Sequence, residues 1–211
     1  MNKLRRTIRD QGGFRYWFVN VFWFHYKWPV LVGVVVLGII AFITFDSLRQ
    51  ERYDTTVVIA TDYSVQEDDL TALDEVLKPV VPDLDGNGRV NICYAVLYVG
   101  NTELGRANQE RMYLYMTRED VGLYLMSGDV SDAYTDPQLE YFTDHVLQYG
   151  LEPDPGNPVR ADLNNNRTLE ACGMENIYLS IMDYTTVSGS DTAKETLDTA
   201  VSMARALVDA G

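Results

Sequence analysis

The chain has 211 residues, carries 31 Asp/Glu against 17 Lys/Arg for a formal charge of −14, and contains two cysteines. That length allows one domain with accessories. The acidity excludes nucleic acid, whose phosphates such a surface repels, and argues against lying flat on anionic lipid.

The first 45 residues are not ordinary domain sequence. Nine aromatic residues lie between Phe14 and Trp28, and all three tryptophans are among them. Val30 to Phe45 then reads VLVGVVVLGIIAFITF without a charge. The run predicts a transmembrane helix over residues 28–45, roughly 27 Å long at about 1.5 Å per residue, against a hydrocarbon core of about 30 Å. Residues 1–27 read as a basic, aromatic leader at the headgroup level, and Pro29 as a first-turn proline. Lys3, Arg5, Arg6, Arg9, Arg15 and Lys27 precede the span against the single acid Asp10. Basic flanks stay inside, so a single-pass cell-membrane protein is expected, with a cytoplasmic N-terminus and an extracellular C-terminal domain. Phe45-Asp46-Ser47-Leu48 offers no small-x-small cleavage site, which favours an uncleaved signal-anchor.

A charged stem, residues 46–54, leads to the extracytoplasmic domain, residues 55–211. Residues 46–211 hold 11 Lys/Arg and 30 Asp/Glu, a formal −19, compatible with cation binding and with plain solubility. Thr55–Thr61 reads as a strand covered on both faces. Ser64-Val65-Gln66-Glu67 is a capping box for a helix carrying Leu70, Leu73, Val76 and Leu77 inward, stopped at Pro79. Residues 83–88 form a turn, Val90–Val99 a second strand, Leu104–Thr117 a second helix and Val121–Met126 a third strand. A third helix is expected from Asp136-Pro137 to about Leu147, then a loop from Gly150 to about Asn166. Asn176–Tyr184 reads as the fourth strand. A last helix from about Ser190 turns Leu197, Val201, Ala204 and Leu207 inward. Strands alternating with helices predict a three-layer α/β domain with a mainly parallel sheet of about four main strands.

Two stretches carry a resemblance. The leader FVNVFWFHYKWPVLVGVVVLG resembles the aromatic "YKW" signal-anchors of uncharacterised surface proteins of Gram-positive gut anaerobes, as do VVIATDYSVQEDDLTALDEVL, DLDGNGRVNI and VGLYLMSGD in the domain. The order of elements up to Ser127-Gly128-Asp129 is similar to the first lobe of extracellular solute-binding proteins. The resemblance implies a solute-binding-like lobe. The chain has room for one lobe where those proteins close two, and it lacks the lipobox cysteine that tethers them.

Ligands in an open α/β sheet sit beyond the carboxyl ends of the strands. Those ends nominate Thr61, Asp62, Tyr63, Ser127, Asp129 and Asp183, with Gly100-Asn101 and Tyr184-Thr185 beside them. This hydroxyl, carboxylate and tyrosine chemistry suits sugars, peptides or cations. Asp83, Asp85, Asn87 and Gly88 match positions 1, 3, 5 and 6 of a calcium loop, with Arg89 offering a carbonyl and Asn91 at position 9. Position 12 is Tyr94 where a bidentate carboxylate is needed, and an Asp/Asn/Gly turn introducing a strand accounts for the same residues. Asp162-Leu163-Asn164-Asn165-Asn166 is a poorer copy without the glycine. Cys93 and Cys172 fit a disulfide or two ordinary thiols, and neither has a C-x-x-C spacing. Asn166-Arg167-Thr168 is formally a glycosylation sequon. His145 is the domain's lone histidine, and no catalytic motif occurs. These observations favour a non-enzymatic, membrane-anchored interaction or ligand-binding module with no required cofactor. The alternatives are an accessory or sensory subunit with a membrane or surface protein partner, and a hydrolase pairing Asp62 with Asp129 or Asp183.

Overall fold

The computed structural model describes residues 18, 23–49, 53–66, 69–84, 86–136, 142 and 145–211. These divide into two units, residues 1–51 and 52–211. In the first, helix α1 runs over Phe24–Arg49, 26 residues, with Pro29 inside it. The helix therefore begins before the proline by more than a turn, and Pro29 is not a first-turn residue. Its side chains are described without a break from Trp28 to Phe42, and all of those are exposed. Among the described residues no helix is long and apolar enough to cross a membrane.

The second unit is built around β1 (Thr55–Thr61), whose seven residues are all buried. Val57 and Ile59 point to one face, and Val58 and Ala60 to the other, as β-branched strands covered on both sides require. Helix α2 (Thr71–Leu77) follows, then β2 (Ile92–Tyr98), α3 (Glu103–Tyr115), β3 (Leu123–Ser127), α4 (Gly128–Tyr134), β4 (Ala161–Asp162), α5 (Arg167–Ala171), β5 (Ile177–Ile181) and α6 (Asp191–Ala210). The sheet order is β2-β1-β3-β5-β4. Leu73 and Leu77 of α2, Leu169 of α5, and Met203 and Leu207 of α6 fill one face with Ile59, Leu125 and Leu179. Met112 of α3 and Val130 and Tyr134 of α4 fill the other with Val58, Leu97, Tyr124 and Met126. The three layers are therefore as the alternating pattern predicts.

The sheet bears out the parallel core of that reading and adds one reversed strand. β1 pairs in parallel with β2 and with β3, whereas β5 is antiparallel to both β3 and β4. The architecture is a five-stranded mixed sheet with a parallel core. The chain leaves β3 at Ser127, enters α4 with no linker, re-enters the sheet at the edge strand β4, and after α5 begins β5 at Ile177, which pairs with Ser127. Asp162 at the end of β4 pairs with Tyr178, so the short connection through α5 brings the chain back in beside the strand it has just left, and β5 runs backwards against both β4 and β3.

Other elements also differ. Residues 64–66 are irregular and α2 opens at Thr71 with Leu70 at its N-cap, so the Ser64 capping box does not cap it; Glu67 lies outside the described residues. Most of the helix expected over 136–147 also lies outside them, and Val146–Tyr149 is a 3-10 turn. α4, α5 and the two-residue β4 have no counterpart among the elements expected from the sequence. The last helix begins as expected. Ser190 is its N-cap, accepting from the Ala193 N–H, and Ala204 and Leu207 are buried.

Candidate functional site

The order β2-β1-β3 sends α2 to one face of the sheet and α3 to the other. The crevice between the carboxyl ends of β1 and β3 is therefore the topological switch point, where open α/β sheets bind their ligands. Thr61, Asp62 and Tyr63 leave β1 there, beside Ser127 and Asp129 of β3 and α4. Ser127, 1% exposed, donates its hydroxyl to Asp62 Oδ1 at 2.6 Å and accepts the Asp62 N–H at 3.2 Å. Thr61 is fully buried and donates to the Tyr63 carbonyl at 2.7 Å. These bonds hold the Asp62 backbone across the crevice while its side chain stays exposed. Asp129 is exposed as well, in the first turn of α4.

Asp183 does not join them. Because β5 is antiparallel, Ile181 pairs with Leu123 at the far end of β3, about 13 Å from Ser127 at roughly 3.3 Å per residue. Asp183 closes its own turn there, accepting the Thr185 N–H at 2.7 Å and the Thr185 hydroxyl at 2.6 Å. A carboxylate pair between Asp62 and Asp183 is thereby excluded.

The start of β5 takes that place instead. The Tyr63 hydroxyl donates to the Glu175 carbonyl at 2.8 Å and accepts the Glu175 N–H at 2.7 Å. Burial is the main cause holding the Tyr63 hydroxyl above its ordinary range; the backbone bond from Glu175 opposes it, and the negative charges of Asp62 and Glu175 add to it. Asn176, in the left-handed region at φ 54°, lays its amide over Gly128. A Cβ on Gly128 would stand 2.3 Å from Asn176 Nδ2, so the glycine provides the space for that side chain. Glu175 and Asn176 went unrecognised in the sequence because they precede a strand that a parallel sheet would have turned the other way.

The Asp83 loop is held by its own carboxylates. Asp83 Oδ1 accepts the Asn87 N–H at 3.2 Å and its Oδ2 the Gly88 N–H at 2.7 Å, while Asn87 accepts the Arg89 N–H at 2.7 Å. Gly86 and Gly88 supply the positive φ values of 69° and 79° that the turn needs. Asp54 grips both ends of the loop, accepting the Leu84 and Asn91 N–H groups at 2.8 Å each. It stands at the close of the expected stem, where nothing in the sequence marked it. Asp85 lies outside the described residues. Tyr94, at the twelfth position, donates its hydroxyl to Asp74 at 2.7 Å. Among the described residues, no three His, Cys, Asp or Glu side chains gather closely enough to hold a metal.

Cys93 and Cys172 are free thiols, and burial pushes the Cys172 thiol up. Asn166 is 5% exposed and caps α5, accepting from the Thr168 and Leu169 N–H groups, so the sequon's amide is enclosed. His145 stands exposed at the N-cap of the 3-10 turn. Comparison with known proteins brings no match, whether to a family model, a curated protein or a solved structure.

Proposed function

We propose that this protein is a membrane-anchored, extracytoplasmic ligand-binding module without catalytic activity. The observation that supports it is the switch-point constellation. Ser127 and Tyr63 immobilise the backbone around Asp62 and Glu175, leaving carboxylate and amide groups facing solvent where α/β sheets take ligands. The anchor is argued from the uncharged run over residues 28–45 within a helix of 26 residues and from the basic residues before it. The single-lobe likeness to solute-binding proteins fits this reading.

Two experiments test it. The full chain expressed in cells should resist alkaline extraction from membranes and expose its C-terminal domain to external protease; release by carbonate rejects the anchor. Thermal melts of the purified chain against calcium, sugars, amino acids and short peptides test binding. A ligand at about 100 times its dissociation constant adds roughly 2.7 kcal/mol to the folded state. A cooperative melt that no ligand moves rejects the binding site.

One feature favours the reading as an accessory subunit. β2 is an edge strand of seven uncharged residues, ICYAVLY, paired only with β1. Such an edge accepts an extended segment of a neighbouring membrane protein. Tyr98→Lys, at a half-buried position of this edge outside both core clusters, should then block copurification of that neighbour while leaving small-ligand shifts intact.

A further inference from the structure

Beside the switch point, between β4, α5 and the start of β5, lies a pocket of about 270 Å³. Its floor is apolar, made by Leu163, Met174 and Ile177, each at most 5% exposed. Its walls are polar, from Asn165, Glu170, Glu175 and Asn176. Among the described residues these four side chains make no hydrogen bond or ion pair with the rest of the chain, so their amides and carboxylates are available to a ligand. No Lys or Arg lines the pocket, which leaves it with two uncompensated formal negative charges.

We infer that this pocket is the ligand seat of the proposed binding module, and that it takes a small polyhydroxylated molecule bearing a protonated amine. The inference rests on the ligand-binding reading above. An apolar floor under a ring of amides and carboxylates matches a sugar-like skeleton, which has one hydrophobic face and many hydroxyls. The two glutamates add attraction for an ammonium and repel carboxylate or phosphate ligands.

The backbone that carries the walls is held in place by the fold. Asn166 caps α5 and donates its amide to the Leu207 carbonyl at 2.7 Å, tying the β4–α5 turn to α6. The Leu163 N–H donates to Ile177 and the Met174 N–H to Leu169. Tyr63 clamps Glu175 on both backbone sides. Asn165 and Asn176, at φ 68° and 54°, are the described non-glycine residues with positive φ, and both line this pocket. A backbone fixed beneath the wall side chains reduces the entropy lost on binding.

Isothermal titration of the full chain in a neutral detergent tests this with glucosamine, glucose and calcium chloride as probes. Glucosamine should bind at least tenfold more tightly than glucose. The double variant Glu170→Gln and Glu175→Gln, isosteric and with no side-chain bonds to lose, should melt like the parent and erase that preference. Equal binding of the two sugars overturns the inference, as does calcium displacing glucosamine from the parent through the same glutamates. Sugar binding that survives the glutamine variant but is lost in Asp62→Asn overturns the pocket while leaving the binding module standing. Failure of every probe to bind at millimolar concentrations, with a folded chain, overturns both.

Discussion

A carboxylate at 7% exposure is costly to keep charged unless donors surround it, and Asp54 finds two in the Leu84 and Asn91 backbones. Asp54→Ala should leave both N–H groups unsatisfied and lower unfolding free energy by about 2–4 kcal/mol, read from urea denaturation; Asp54→Asn should retain part of it. The same carboxylates that shape the Asp83 loop already accept backbone donors, so chelation of calcium is expected to move the melting midpoint by less than about 1 °C, smaller than the several degrees that 1 kcal/mol produces. Phenols add a pH signature. Burial pushes the Tyr184 hydroxyl up to about 12, and it donates to the Met116 carbonyl at 2.6 Å. The Tyr63 and Tyr124 hydroxyls are also raised, with burial the largest cause. A folded state that holds its phenolic protons more tightly than the unfolded chain, where tyrosine titrates near 10, keeps this stability below pH 10. It loses it as pH rises through about 12. The urea midpoint should fall above about pH 10, less steeply in Tyr184→Phe; a midpoint that climbs there contradicts the assignment.

At the scale of elements, what could be read from the sequence followed burial. β1 and β3 are β-branched or apolar along most of their length and buried throughout because helices cover both faces, and α6 shows a helical period with a serine cap. The direction of β5 was not legible, since an apolar strand reads the same forwards and backwards. Its reversal is made across the short β4–α5 connection, and neither the two-residue β4 nor the five-residue α5 is long enough to show a period. Arg160 was equally silent. It is 8% exposed, bonds Asp154 at 2.8 Å, reaches Ser131 and Asp132 of α4 and stacks on Tyr178 of β5 at 4.0 Å. One side chain thus ties α4 and β5 to the loop between them. Arg160→Ala leaves the Asp154 carboxylate half-enclosed and unpaired by arginine, and should cost about 3 kcal/mol in denaturation; Arg160→Lys should recover only part, because a point charge cannot fork or stack. Close approach sets another limit. A Cβ on Gly122 would come within 2.8 Å of Ala200 Cβ and 3.0 Å of Thr196 Cγ2. Gly122→Ala should push α6 off β3, with a loss of about 1–3 kcal/mol.

For the whole molecule, charge governs behaviour in solution. Residues 46–211, with a formal −19, repel one another, and salt screens that repulsion within about 10 Å at 0.1 M. The melting temperature should therefore rise between about 10 and 300 mM NaCl; a fall would mean that ion pairs such as Arg118–Asp120 outweigh the general field. The candidate site was half legible for a topological reason. Thr61, Asp62, Tyr63 and Ser127 follow parallel strands and could be placed from the strand pattern, whereas Glu175 and Asn176 could be placed only once β5 was known to enter there. The order of the chain also bears on how the lobe is made. α3 and α4 cover most of one face of the sheet soon after β3 is complete, but the other face, with Ile59 and Leu125 under α2, waits for Met203 and Leu207 of α6. At roughly 5–20 residues per second of synthesis, that wait is on the order of ten seconds. During it the nascent chain carries one face still short of Val159 and Met182 and another roofed by α2 alone, apolar surface that a chaperone has to shield.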